Sequence, residues 1–179
     1  MTVKQVVRMT LIVGAVALGA FAGGCGTTES NPMPPSTVNF ALRNDGAQTV
    51  YLFQACLINY TITSLADPAH TITRLDGCAC MCTQTSCGEC GACAQNAIDV
   101  AVGTARNDDW TAISFTTESR PTGSCFRQQA LPPGSYRIDV PVYPTADDAV
   151  AGTSARTATQ SFTLPAQGTV VDVALGVSP

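Results

Sequence analysis

Lysine is all but absent from this chain of 179 residues: Lys4 is its only one, and histidine and tryptophan occur once each, as His70 and Trp110. Charged residues make up only 12% of the sequence, and the arginines stand singly rather than in clusters. A nucleic-acid backbone demands grouped cations, so no nucleic-acid partner is expected. One histidine leaves general-base chemistry a single candidate, and Thr71, Ile72 and Thr73 beside it read as an ordinary strand. No stretch carries a sustained i, i+3, i+4, i+7 apolar stripe with caps. Helix content should therefore be small.

The one long apolar run lies at the start, from Met9 to Ala22, behind Lys4 and Arg8. It is shorter than the ~20 apolar residues of a membrane span and suits the core of an export signal, which needs only about 7 to 15. The run closes on Phe21-Ala22-Gly23-Gly24-Cys25, which resembles the lipobox of bacterial lipoprotein precursors. That resemblance implies a signal helix over residues 1–24 that is removed, diacylglycerol on the Cys25 sulfur and a fatty acyl chain such as palmitate on the new amino end. It also implies the outer membrane as location, because Gly26 stands where inner-membrane retention favours Asp. Two or more acyl chains hold a protein stably at a bilayer. Loss of Lys4 and Arg8 with the signal leaves seven cations against thirteen acids, a balance of −6.

Residues 25–37 are small, polar or proline, as in Asn31-Pro32-Met33-Pro34-Pro35, and form the lipidated end and a tether without periodicity. Residues 38–179 are enough for one domain with a sizeable core. Apolar and polar residues alternate there in short runs: Val38, Phe40 and Leu42; Val50 and Leu52 on to Cys56; Ile58, Tyr60 and Ile62. Further runs cover 98–102, 110–116, 125–131, 135–143, 157–164 and 169–175. Period two is the signal of half-buried strands, and Asn44-Asp45-Gly46 between the first two runs predicts a hairpin opening a meander. The fold class expected is all-β. Around Leu131-Pro132-Pro133-Gly134-Ser135-Tyr136-Arg137-Ile138 and Phe162-Thr163-Leu164-Pro165 the chain resembles the closing strands of bacterial immunoglobulin-like and transthyretin-like domains. That resemblance implies a single antiparallel β-sandwich.

The cysteines are the unusual feature. Cys78, Cys80, Cys82, Cys87, Cys90 and Cys93 crowd into one loop, 76–96, while Cys56 and Cys125 stand apart in expected strands. Apart from Cys25 the count is even, which an exported disulfide framework requires. If Cys78, Cys80 and Cys82 are extended, they face one way and can oppose Cys87, Cys90 and Cys93. Cys56 and Cys125 can then bridge each other, or pair into the cluster instead. The alternative is soft-metal binding, since CxC and CxxC spacings let the six loop thiolates reach one zinc or copper ion. Met81 is the only large apolar residue of the loop, so covalent staples must order it, and it reads as an appendage outside the core.

Other chemistry finds little footing. Asp108-Asp109 and Asp147-Asp148 read as solvated loop acids that could hold Ca²⁺, Trp110 as core, and Asn59-Tyr60-Thr61 as a chance match to a glycosylation acceptor. No enzyme is expected and no cofactor, apart from zinc or copper on the alternative reading. The expectation is a lipid-anchored module that binds an envelope protein or polymer, or serves a structural role.

Overall fold

The structure is a computed structural model that describes residues 35–76, 78–87, 91–121, 123–165 and 170–176. Residues 1–24, expected to be the signal, Cys25, most of the expected tether and Cys90 lie outside the described residues. No helix among the described residues is long and apolar enough to cross a membrane.

The fold is mostly β. Its strands are β1 (Thr37–Arg43), β2 (Val50–Gln54), β3 (Thr61–Ser64), β4 (Asn96–Val100), β5 (Ala105–Thr111), β6 (Ile113–Arg120), β7 (Gly123–Ala130), β8 (Gly134–Val142), β9 (Arg156–Leu164) and β10 (Val170–Ala174). They form unclosed sheets in the orders β10-β1-β5, β2-β4, β3-β8-β9 and β6-β7. A bridge between Tyr51 and Tyr143 links β2 to the end of β8, each backbone N–H donating to the other's carbonyl at 2.9 Å. The runs read at 125–131, 135–143, 157–164 and 169–175 fall on β7, β8, β9 and β10, while the run read at 110–116 is divided at Ala112 between the end of β5 and the start of β6. Between β8 and β9 stands one short helix, α1 (Ala146–Ala151). Thr145 starts it by accepting the Asp148 N–H, and Gly152, at φ 67°, ends it in the left-handed conformation that glycine takes without strain.

Alternation places the core. Val38, Phe40 and Leu42 of β1 are fully buried, as are Ile138, Val140 and Val142 of β8, and one cluster joins them to Leu52, Ile62, Val100, Trp110, Phe162 and Val173. Phe40 is its centre, with ring centroids 5.5 Å from Tyr60, 5.3 Å from Phe162 and 6.1 Å from Trp110. Such aromatic pairs add about 0.5–1.5 kcal/mol each beyond the area they bury.

Three expectations are corrected. Asn44-Asp45-Gly46 does not close a hairpin: β1 pairs with β5 and β10, and β2 pairs with β4. The reason is Asn44 itself, which is wholly buried. Its Nδ2 donates to the Gln48 and Val100 carbonyls, each at 2.8 Å, and its Oδ1 accepts the Gly46 N–H at 3.0 Å. Its backbone is engaged as well, with Thr104 and Gly103. The turn is thus a pinned corner that sends the chain to another sheet. The second correction concerns direction, because β10 runs parallel to β1. The Thr71 segment is also no strand, reaching β3 only through a Thr63–Thr71 bridge.

Candidate functional site

At the end of the molecule where β1 begins, β5 passes through buried Ala112 into the β6-β7 hairpin. Ala112 donates to the Ser36 carbonyl at 2.7 Å and accepts from Leu131 at 3.0 Å. Beyond that point the hairpin leaves the core: most of its side chains are exposed, and Cys125 is its one buried residue. A two-stranded ribbon with so little burial is marginal by itself.

The cysteine loop supplies what the hairpin lacks. Met81 bridges Phe126 as a short parallel partner, with Phe126 N–H donating to Cys80 O and Cys82 N–H to Phe126 O, both at 2.8 Å. Arg120 clamps the same segment through the Cys82 and Gln84 carbonyls. Cys82 is joined to Cys125, Cys56 to Cys93, and Cys80 to Cys87, with Cα separations of 5.0, 5.2 and 5.3 Å. Cys78 is exposed, and its N–H donates to Asp76 Oδ1 at 3.1 Å.

Cys56 and Cys125 do not bridge each other but pair into the cluster, the second of the two arrangements the sequence left open, and of the bridges expected within the cluster only Cys80–Cys87 is seen among the described residues. The reason is directional. Cys56 sits just past β2 and Cys125 within β7, so each faces one limb of the loop, and the loop is sewn at both ends rather than appended. The two long bridges leave carboxylates close by: Asp76 beside Cys56 and Cys93, Glu118 beside Cys82 and Cys125, with ligand atoms within 4.8 Å. The sulfurs are joined to each other, and Arg127 holds Glu118 in an exposed ion pair. That pairing, more than any other contact, keeps the Glu118 carboxyl below the usual range.

Next to this module lies a cleft of about 460 Å³ lined by Phe53, Leu57, Asn59, Ile72, Arg74 and Leu75. A smaller one of about 180 Å³ shares Leu57, Arg74 and Leu75 and reaches Ile113 and Phe115 on the hairpin. Between them sits a polar triad absent from the sequence reading. The Tyr60 hydroxyl donates to Asp108 Oδ2 at 2.6 Å, Arg74 Nη2 lies 3.5 Å from the same oxygen, and the guanidinium stacks 3.5 Å over the Tyr60 ring. Arg74 Nη1 also reaches the Ile58 and Tyr60 carbonyls. Its side chain is only 11% exposed, and Nε is buried without a partner among the described residues. Burial, against the opposing charge of Arg74 and with help from Asp108, pushes the Tyr60 hydroxyl far up. Burial lowers Arg74, against the pull of Tyr60 and Asp108. No sequence signal marked Arg74, one of several isolated arginines.

The remaining candidates are placed plainly. Asp108 and Asp109 belong to strand β5, where Asp109 accepts from Asn39 Nδ2 at 2.7 Å. They are not the loop pair expected. Asp147 and Asp148 stand in the first turn of α1 and not in a loop, and Asp148 accepts the Thr145 and Thr153 hydroxyls, which lowers its carboxyl, Thr145 foremost. His70 is exposed and paired with Asp67 at 3.0 Å. Trp110 is buried in the core, as expected. Scans against protein-family models, curated proteins and solved structures find no match to the chain.

Proposed function

We propose that this chain is an exported lipoprotein, held in the bacterial outer membrane through acylated Cys25, that displays a disulfide-stapled immunoglobulin-like β-sandwich as a binding or structural module. The observation that carries the reading is the pair of long bridges, Cys56–Cys93 and Cys82–Cys125, which bind the cysteine loop to two separate strand regions. Such a framework persists only where thiols are oxidised, which agrees with the signal and lipobox pattern of residues 1–25. The sandwich reading draws support from Tyr136, whose hydroxyl reaches back to the Pro132 carbonyl at 2.8 Å, as the tyrosine corner of immunoglobulin-like domains does. The cleft offers hydrophobic lining and a neutralised Arg74, with no nucleophile poised against a base among the described residues. It suits recognition of a protein or envelope polymer better than catalysis.

The test is Cys25→Ala in the producing cell. Acyl label should vanish and the protein should leave the membrane fraction. Retention in the detergent phase equal to the parent would refute the anchor. A soft-metal role keeps one observation in its favour, the carboxylates beside the two long bridges. Intact mass before and after reduction, with metal analysis of the envelope-purified protein, separates the two: oxidised sulfurs without metal support the module, free thiols with zinc or copper the alternative.

A further inference from the structure

Strand β9 ends its sheet, with β8 on one side and no ladder partner among the described residues on the other. The orientation of its backbone follows from its neighbour. Ser135 O accepts from Leu65, and Tyr143 exchanges both bonds with Tyr51, so the odd-numbered residues of β8 aim at β3 and β2. The even-numbered residues aim at β9, where their partners in register are Arg156, Ala158, Gln160, Phe162 and Leu164. Thr157, Thr159, Ser161 and Thr163 consequently turn their N–H and C=O groups to the open edge. All four side chains are exposed. Of these backbone groups, only the Ser161 carbonyl accepts a hydrogen bond from the described residues, from Gln160 Nε2 at 3.0 Å.

Open edges are normally guarded by charge, proline, bulges or shortness. β10 is five residues long with Asp172 at its middle, and β5 carries Arg106, Asp108 and Asp109. β9 has nine residues and, from Thr157 to Thr163, no charge and no proline. Self-pairing decides the matter further. An antiparallel β9–β9 pair centred on Gln160 sets Thr157 against Thr163 and Thr159 against Ser161, so outward residues meet outward residues and no like charges oppose. The same operation on β10 or β5, centred on Asp172 or Asp108, puts two carboxylates face to face.

We infer that β9 is a homodimerisation edge, along which a second copy of this chain adds its own β9 antiparallel about a twofold axis at Gln160. Such an isologous contact uses one patch twice and needs no second surface. β10 packs beside β9 without joining the ladder, and just past its end the Leu175 carbonyl accepts from Arg156 Nη2 at 2.8 Å.

The experiment uses the full chain in density-matched detergent, followed by sedimentation equilibrium and by amide exchange. The parent should dimerise at roughly 100 µM or below, as weak edge contacts do. Exchange at Thr157, Thr159, Ser161 and Thr163 should slow as concentration rises. Thr159→Pro removes an outward N–H that β8 does not use, and Ser161→Lys adds a guarding charge without touching the backbone. Each should weaken the dimer at least about tenfold. If Thr159→Pro loses its thermal transition, Ser161→Lys alone decides. A parent that stays monomeric to roughly 1 mM, or a dimer that survives Ser161→Lys unchanged, overturns the inference.

Discussion

Truncating Asn44 would strand the buried bond to the Val100 carbonyl together with the part-buried bonds to the Gln48 carbonyl and the Gly46 N–H. An unsatisfied buried polar group costs about 1–3 kcal/mol, and some of these groups can relax. Asn44→Ala should therefore lower stability by about 2–4 kcal/mol, read as a drop in the denaturant midpoint with the slope unchanged. An effect below 1 kcal/mol on the order expected of surface sites would show that the corner is not pinned. Arg74 presents the complementary case. Arg74→Met leaves the Asp108 carboxylate without its cation and should cost about 2–3 kcal/mol. Adding Asp108→Asn should recover part of that loss, since the orphaned charge goes with it. A double variant no better than the single would show that the two residues do not act together. Neither role was readable in the sequence, because what makes Asn44 and Arg74 matter is which distant carbonyls and carboxylates arrive beside them.

At the scale of elements, period-two alternation told where β1, β2, β8 and β10 lie, since burial on one face is written residue by residue, whereas the division at Ala112 between β5 and β6 left no such mark. It could not tell which strands pair. The parallel β1–β10 ladder joins Asn39 to Val170, across almost the whole chain, and no local pattern encodes such a partner. The cysteine loop shows the same limit: its even count and spacing announced staples, while connectivity depended on where β2 and β7 end up. The staples should be unequal. On the chain-entropy estimate, Cys82–Cys125 and Cys56–Cys93, with separations of 43 and 37, are worth about 4 kcal/mol each, and Cys80–Cys87, with a separation of 7, about 2. Cys82→Ala with Cys125→Ala should free the β6-β7 hairpin to protease while the core keeps a cooperative transition. Cys80→Ala with Cys87→Ala should change melting least. The reverse ranking would mean that the small ring, not the long bridges, organises the loop. Replacing residues 78–93 wholesale would leave Cys56 and Cys125 without their partners.

For the molecule as a whole, pH should act from both sides. In the folded chain burial keeps the Tyr60 and Tyr136 hydroxyls protonated above their ordinary value of 10.0, whereas the unfolded chain releases those protons there. Their stabilisation is complete below pH 10 and lost as pH rises past it. Phenolate absorbance from these two tyrosines should grow together with loss of structure; growth before unfolding would contradict their burial. On the acid side, Glu118 and Asp148 are held below the usual carboxylate range, Glu118 by Arg127 and Asp148 by the Thr145 hydroxyl. Their contribution is present above that range and fades as pH falls through it. One further consequence comes from the direction of β1. Its first residue, Thr37, lies opposite Thr111, at the end from which the hairpin and cysteine loop project. Asn44, Gly103 and the segment after Tyr143 with α1 gather at the other end. A ligand bound among the corner loops and α1 and one bound at the staples would thus sit at opposite ends of the seven-residue strand β1 and need not compete.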